Sequence, residues 1–214
     1  MIDLSRSPVV ILACNTASAK ALRTIQQKDL PLIAPNKRVL GVIRPTAEKI
    51  GDFTKTNHVG LLGTEGTIQS GSYPIEINKL FPEIVVTGQA CPMWVPLIEN
   101  GEHLSDGADY FVGKYINKLL GADPKIDTLV LACTHYPLLV DKIKKHVGEH
   151  VQIISQGPII ADRLKDYLLR HPEMETKLSK NGKCTFYTTE SVDKFKKSAS
   201  TFLQTNIEAN HITL

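Results

Sequence analysis

The 214-residue sequence predicts an α/β protein built on parallel sheets. Two observations carry that expectation. Short apolar runs rich in β-branched residues alternate with helical patterns of about ten residues or more, as in βαβ units. One such run also occurs almost twice. Val9-Val10-Ile11-Leu12-Ala13-Cys14-Asn15-Thr16 returns as Thr128-Leu129-Val130-Leu131-Ala132-Cys133-Thr134-His135. Each copy delivers a cysteine, two small or polar residues and then a helix-like stretch. In open α/β sheets ligands bind beyond the carboxyl ends of the strands. Both thiols are therefore expected at exposed strand ends, pushed toward thiolate by the backbone N–H groups that follow.

The first strand, 8–13, leads into a helix over 17–27, and a second strand at 38–43 closes before Arg44-Pro45, a candidate domain boundary. A strand at 58–63 precedes a helix over 67–80, a strand at 83–87 and a helix over 107–120, with Gly121 as its stop signal. The strand at 127–132 carries the second cysteine motif, and Pro137 opens a helix over 137–146. A strand at 151–155 meets a second candidate boundary at Gln156-Gly157-Pro158, where Pro158 starts a helix over 159–169. A strand at 183–188 and a helix over 192–203 complete the pattern.

The bulk properties exclude several function classes. A hydrophobic content of 42%, a charged content of 22% and a net charge of +3 describe an ordinary globular chain with no electrostatic case for nucleic acid. No run approaches the ~18 apolar residues of a membrane span, and no signal peptide is evident. Four cysteines without close spacing fit neither a disulfide framework nor a zinc site. A reducing cytoplasm is the natural compartment.

Two thiols on two similar units suggest opposed acid/bases. The motifs that carry a family resemblance are Ala13-Cys14-Asn15-Thr16-Ala17-Ser18-Ala19 and Leu131-Ala132-Cys133-Thr134-His135-Tyr136-Pro137-Leu138. Between them lie Gly41-Val42-Ile43-Arg44-Pro45, Leu62-Gly63-Thr64-Glu65-Gly66-Thr67 and Ala90-Cys91-Pro92-Met93-Trp94-Val95-Pro96-Leu97-Ile98-Glu99. Over essentially its whole length the chain resembles the cofactor-independent aspartate/glutamate racemases, and most closely the glutamate racemases.

The resemblance implies two similar parallel-sheet α/β domains, the first from 1–44 plus 157–214 and the second from 45–156, with the active site in the cleft between them. It implies interconversion of L- and D-glutamate, with D-glutamate going to peptidoglycan. One cysteine removes the α-proton and the other protonates the opposite face, with neither pyridoxal phosphate nor metal. Cys14 is matched to the D-enantiomer and Cys133 to the L-enantiomer. His135 is implied as partner of the second thiol and as a substrate contact, and Glu99 as a proton-handling group. Asn15, Thr16, Thr67 and Thr134 are implied to bind the substrate's carboxylate and ammonium groups. Cys91 and Cys184 are expected to be structural, the latter inside a strand. A homodimer is expected, with no nucleic-acid or membrane partner. The nearest rivals are an aspartate or other amino-acid racemase of the same superfamily, and a non-catalytic fragment with the same fold.

One departure accompanies the resemblance. Glutamate racemases open with a strand ending in Asp-Ser-Gly and then carry a Tyr-Gly pair before the first cysteine motif, and neither precedes Cys14 here. The first domain is therefore expected to be N-terminally incomplete. Losing one positioned donor at a developing anion typically costs ~10²–10³ in rate, so the chain as it stands is expected to be a poor racemase or an inactive one.

Overall fold

The computed structural model describes residues 7–213. Its contacts form two compact units, one of Val9–His171 and one of Pro172–Leu214 with the start of the chain to Pro8.

In the larger unit, β1 (Val9–Leu12) is followed by α1 (Asn15–Lys20), α2 (Leu22–Thr24), a π-helical turn and α3 (Leu30–Ile33). The chain then returns as β2 (Arg38–Gly41), parallel to β1 in the register Val9↔Arg38 to Leu12↔Gly41. After α4 (Ile43–Ala47) come β3 (His58–Gly63), α5 (Glu65–Gln69), α6 (Ser72–Leu80), β4 (Val85–Ala90), α7 (Trp94–Glu99) and α8 (Asp106–Ala122). β5 (Thr128–Ala132), α9 (Val140–Lys144), β6 (Gln152–Ser155) and α10 (Gln156–Arg170) complete the unit. The last four strands form one parallel sheet in the order β4-β3-β5-β6. The connection from β3 runs to one side and the later strands lie on the other, so β3 and β5 flank a topological switch point.

Strand periodicity divides the core into two layers. Val59, Leu61 and Val130 pack on one face with Tyr73 and Ile77 of α6. Leu62, Leu129 and Leu131 pack on the other with Trp94 of α7 and Val112, Ile116 and Leu119 of α8. Both faces are covered, which is why β3 and β5 read as continuous apolar runs rather than alternating ones. Gly60 lies where α8 approaches closely. A β-carbon there would come within 2.5 Å of the Leu129 side chain and 2.9 Å of Leu119.

In the smaller unit, α11 (Pro172–Glu175) precedes a single β7–α12–β8 turn of chain: β7 (Phe186–Thr188), α12 (Val192–Leu203) and β8 (Ala209–His211). The two strands are parallel, and Ser191 caps α12 by accepting from the Lys194 N–H.

The architecture is the α/β, parallel-sheet one read from the sequence, with several local corrections. The helix expected over 67–80 is two helices, because Gly71 adopts φ 63° and interrupts the ladder between α5 and α6. The stretch after Cys133 begins as a tight 3₁₀ turn, Tyr136–Leu139, before α9. α4, α7 and β8 are elements for which the sequence pattern gave no expectation. Cys184 is exposed and precedes β7 instead of lying within it. Contacts divide the chain at His171–Pro172, and the two parallel sheets of the larger unit lie on either side of residue 44.

The glycines make this packing testable. Gly60→Val forces a branched side chain onto Leu129 and Leu119 and should lower the unfolding free energy by about 1–3 kcal/mol. Gly121→Ala, in the last turn of α8 with no atom within 4 Å of the added carbon, should raise it by about 0.5–1 kcal/mol. Urea unfolding followed by circular dichroism reads both; equal midpoints for the two variants would contradict the packing described.

Candidate active site

β1 ends at Leu12, and Cys14 follows as the N-cap of α1, exposed, with extended backbone angles of φ −100° and ψ 128°. Cys133 directly follows β5 and is only 8% exposed. Thr16, two residues after Cys14, lies 2.8 Å from Thr64, and Gly63 pairs with Ala132, so both thiols belong to the same strand ends. The duplicated motif thus brings its two cysteines to one place.

A triangle of hydroxyls accompanies them. Thr16 Oγ1 lies 2.8 Å from Thr64 Oγ1 and 3.2 Å from Thr67 Oγ1, and the latter two are 3.0 Å apart. Thr64 also caps α5 by accepting from the Thr67 N–H. The polar segment after β1 is therefore joined to the polar segment after β3, beside the switch point. Thr67 is buried and Thr134 is exposed next to Cys133. Thr64 was not among the residues expected at the site. The signal for it was a threonine three residues before Thr67, which reads equally well as a helix cap.

On the far side of Cys133 stands an imidazole held by a carboxylate. His135 Nδ1 is 3.8 Å from Cys133 Sγ, and Nε2 is 2.5 Å from Glu99 Oε1. Glu99 ends α7 and His135 opens the turn after β5, so two elements far apart in sequence build one relay. A carboxylate oxygen accepts, which assigns the ring proton to Nε2 and leaves Nδ1 as an acceptor for the thiol proton.

Cys133 differs from the expectation of two exposed, thiolate-leaning cysteines. Burial pushes its thiol up to about 11, and neighbouring Cys14 adds to that, against the backbone N–H groups of His135 and Tyr136 that favour thiolate. Desolvation wins. Cys91 is buried at the end of β4 and its thiol is pushed up further by the same cause, consistent with a packing role.

Asn15 is 3% exposed, and its amide is turned inward. Its Oδ1 accepts from Tyr73 Oη at 2.5 Å and its Nδ2 donates to Gln156 Oε1 at 2.8 Å. The structure thus places Asn15 in a buried polar cluster beside Cys14, whereas Cys133, His135 and Glu99 are grouped as a relay. Among the described residues no three His, Cys, Asp or Glu side chains are grouped to hold a metal ion. Another groove of this unit lies elsewhere. It is lined by Ile11, Leu40, Leu164, Glu48, Glu76 and Arg163 among others and by neither thiol.

The sequence profile described as Asp/Glu/Hydantoin racemase matches residues 6–164, a span that holds both cysteine motifs. The chain belongs to that family. The glutamate racemase of Streptococcus equi subsp. equi is 38% identical over 210 residues, covering 96% of this chain and 75% of that protein. The crystal structure of glutamate racemase isoform RacE1 from Bacillus anthracis matches with a TM-score of 0.84 and 34% identity, over 97% of this chain and 74% of that one. The glutamate racemase of Francisella tularensis in complex with D-glutamate matches with a TM-score of 0.80 and 29% identity, over 97% and 73%. The chain thus spans about three quarters of the length of these relatives. Membership of a racemase family makes the protein an isomerase by descent. Among the described residues no helix is long and apolar enough to cross a membrane.

Exposure predicts how the four thiols of this family member react. Brief iodoacetamide treatment at pH 8, followed by peptide mass mapping, should label Cys14 and Cys184 and spare Cys91 and Cys133. Raising the pH should increase labelling of Cys133 as its thiol approaches its pKa of about 11. Rapid labelling of Cys133 at pH 8 would contradict its burial.

Proposed function

We propose that the chain is a glutamate racemase that works by two opposed cysteines. The observation that carries the reading is the delivery of two strand-end thiols to one edge, where Thr16 after Cys14 meets Thr64, which leaves the sheet level with Cys133. The names of the relatives, one of them solved with D-glutamate, support glutamate as substrate.

In this reading the Cys133 thiolate takes the α-proton of L-glutamate. The C–H bond breaks, S–H forms, and the electron pair stays on the α-carbon and its carboxylate. The Cys14 thiol then gives its proton to the opposite face, forming the new C–H bond and leaving a thiolate. From D-glutamate the roles reverse. Neither pyridoxal phosphate nor metal takes part. His135 accepts the Cys133 thiol proton, which supplies the thiolate that burial alone opposes, and Glu99 holds the imidazole in the accepting tautomer. Thr16, Thr64, Thr67 and Thr134 offer hydroxyls to the substrate's carboxylate and ammonium groups. Asn15 acts from behind, by holding α1. The reading also includes cytoplasmic location, supply of D-glutamate to peptidoglycan, a homodimer, and division near residues 44 and 156 into two α/β domains.

The test is circular dichroism of L- and D-glutamate and of L- and D-aspartate with the reduced protein. Solvent deuterium entry at the α-carbon serves as the more sensitive measure for a slow enzyme. Inversion of glutamate and not aspartate is expected, unaffected by a chelator. Cys14→Ser and Cys133→Ser should each reduce inversion by at least about 10²-fold, the usual scale of general acid–base help. Glu99→Gln should lower kcat/KM equally in both directions, because enantiomers have equal free energy in water. Full inversion by either serine variant would remove that thiol from the mechanism.

A further inference from the structure

Beneath Cys14 lies a closed set of buried hydrogen bonds that joins four segments. Gln156, the first residue of α10, is 6% exposed, and Tyr73 of α6 is fully buried. Gln156 Nε2 donates to Thr46 Oγ1 at 2.7 Å and lies 3.4 Å from the Val42 carbonyl, and it also donates to Tyr73 Oη. Tyr73 Oη donates to Asn15 Oδ1, and Asn15 Nδ2 donates to Gln156 Oε1, closing a ring of three side chains.

The Val42 carbonyl favours one sense of the ring. The Val42 carbonyl can only accept, so the amide nitrogen of Gln156 must face it. The Gln156 oxygen must then face Asn15, which requires the Asn15 nitrogen there and the Asn15 oxygen against Tyr73. Burial keeps Tyr73 a neutral donor, its phenol pushed well above the usual range. Thr46 Oγ1 donates to the same Val42 carbonyl at 3.0 Å, so it is free to accept from Gln156. Turning either amide alone would set like atoms against each other between Asn15 and Gln156.

The ring connects the strand system that carries Cys14 to the one that carries Cys133. Asn15 is the residue next to Cys14, at the start of α1. Gln156 directly follows β6, the neighbour of β5 in the four-stranded sheet. We propose that Gln156 and Tyr73 are positioning residues that set the placement of Cys14 against Cys133 by gripping Asn15. The proposal rests on the two-cysteine racemase reading. A protonated thiol must wait on the face opposite the carbanion, and a displacement of about 1 Å can cost ~10² in rate.

Gln156→Met and Tyr73→Phe test it, the second removing one oxygen only and guarding against a misfolded first variant. After Cys133 removes the proton of L-glutamate, the carbanion is captured either by Cys14, with inversion, or again by Cys133, without it. A displaced Cys14 slows the first route alone. In deuterated water both variants should lose about 10- to 100-fold in inversion. The ratio of deuterated L-glutamate to D-glutamate formed from L-glutamate should rise. Started from D-glutamate, where the return is the step made by Cys14 and the inversion the step made by Cys133, the corresponding ratio should fall. Loss of folded protein lowers all rates together and moves neither ratio, so unchanged ratios would overturn the proposal, as would a rise from D-glutamate alone. A second readout does not depend on turnover. The iodoacetamide rate of Cys14 relative to Cys184 should change in both variants, and a constant ratio would overturn the proposal even if glutamate turns out not to be the substrate.

Discussion

Every strand of a parallel sheet ends at the same edge, and in this protein that constraint gathers the groups of the proposed active site. β3 and β5 pair from Val59↔Thr128 to Gly63↔Ala132, so Thr64 and Cys133 leave the sheet at the same level. Inside the sheet, backbone donors and acceptors are spent on the ladder, and both faces are sealed by helices. Only the residues just past the strand ends keep free side-chain chemistry. The switch between β3 and β5 lies there, and Thr16 brings the end of β1 to it through the hydroxyls of Thr64 and Thr67.

The same burial that builds the sheet opposes the chemistry at its end. Cys133 is packed at the edge of the core that includes Tyr136 and Leu139, and desolvation raises its thiol. A fold can offset this with N–H groups aimed at the sulfur and with a base in contact. Both are present, as the N–H groups of His135 and Tyr136 and the His135 imidazole backed by Glu99. Cys14 meets the opposite situation. It is exposed, so its placement depends less on packing around the thiol and more on the buried ring behind its neighbour Asn15. Buried polar groups are costly unless fully paired, and a ring in which each member fixes the next is well suited to hold a helix start in one place.

The sequence alone determined the α/β class, the parallel strands, and the two strand-end cysteines. These are properties of local pattern, because a buried parallel strand needs an uninterrupted apolar run and a strand-end thiol needs only its place after that run. Glu99 and His135 were also legible, though only through the family resemblance. Composition could not show that they touch, since 36 residues separate them. What tertiary structure decided is wherever partners are distant in sequence or burial sets the outcome. Cys133 is shielded because α7 and the turn after β5 close over it, which no feature of Leu131-Ala132-Cys133 announces. Gly71 broke a helix that its apolar periodicity supported, by taking a left-handed turn. The resemblance implied Asn15 as a substrate contact, and in the fold its amide faces Tyr73 and Gln156, 58 and 141 residues away. A side chain at a helix start can turn to the ligand or to the core with the same backbone. The choice belongs to the partners that folding brings up behind it.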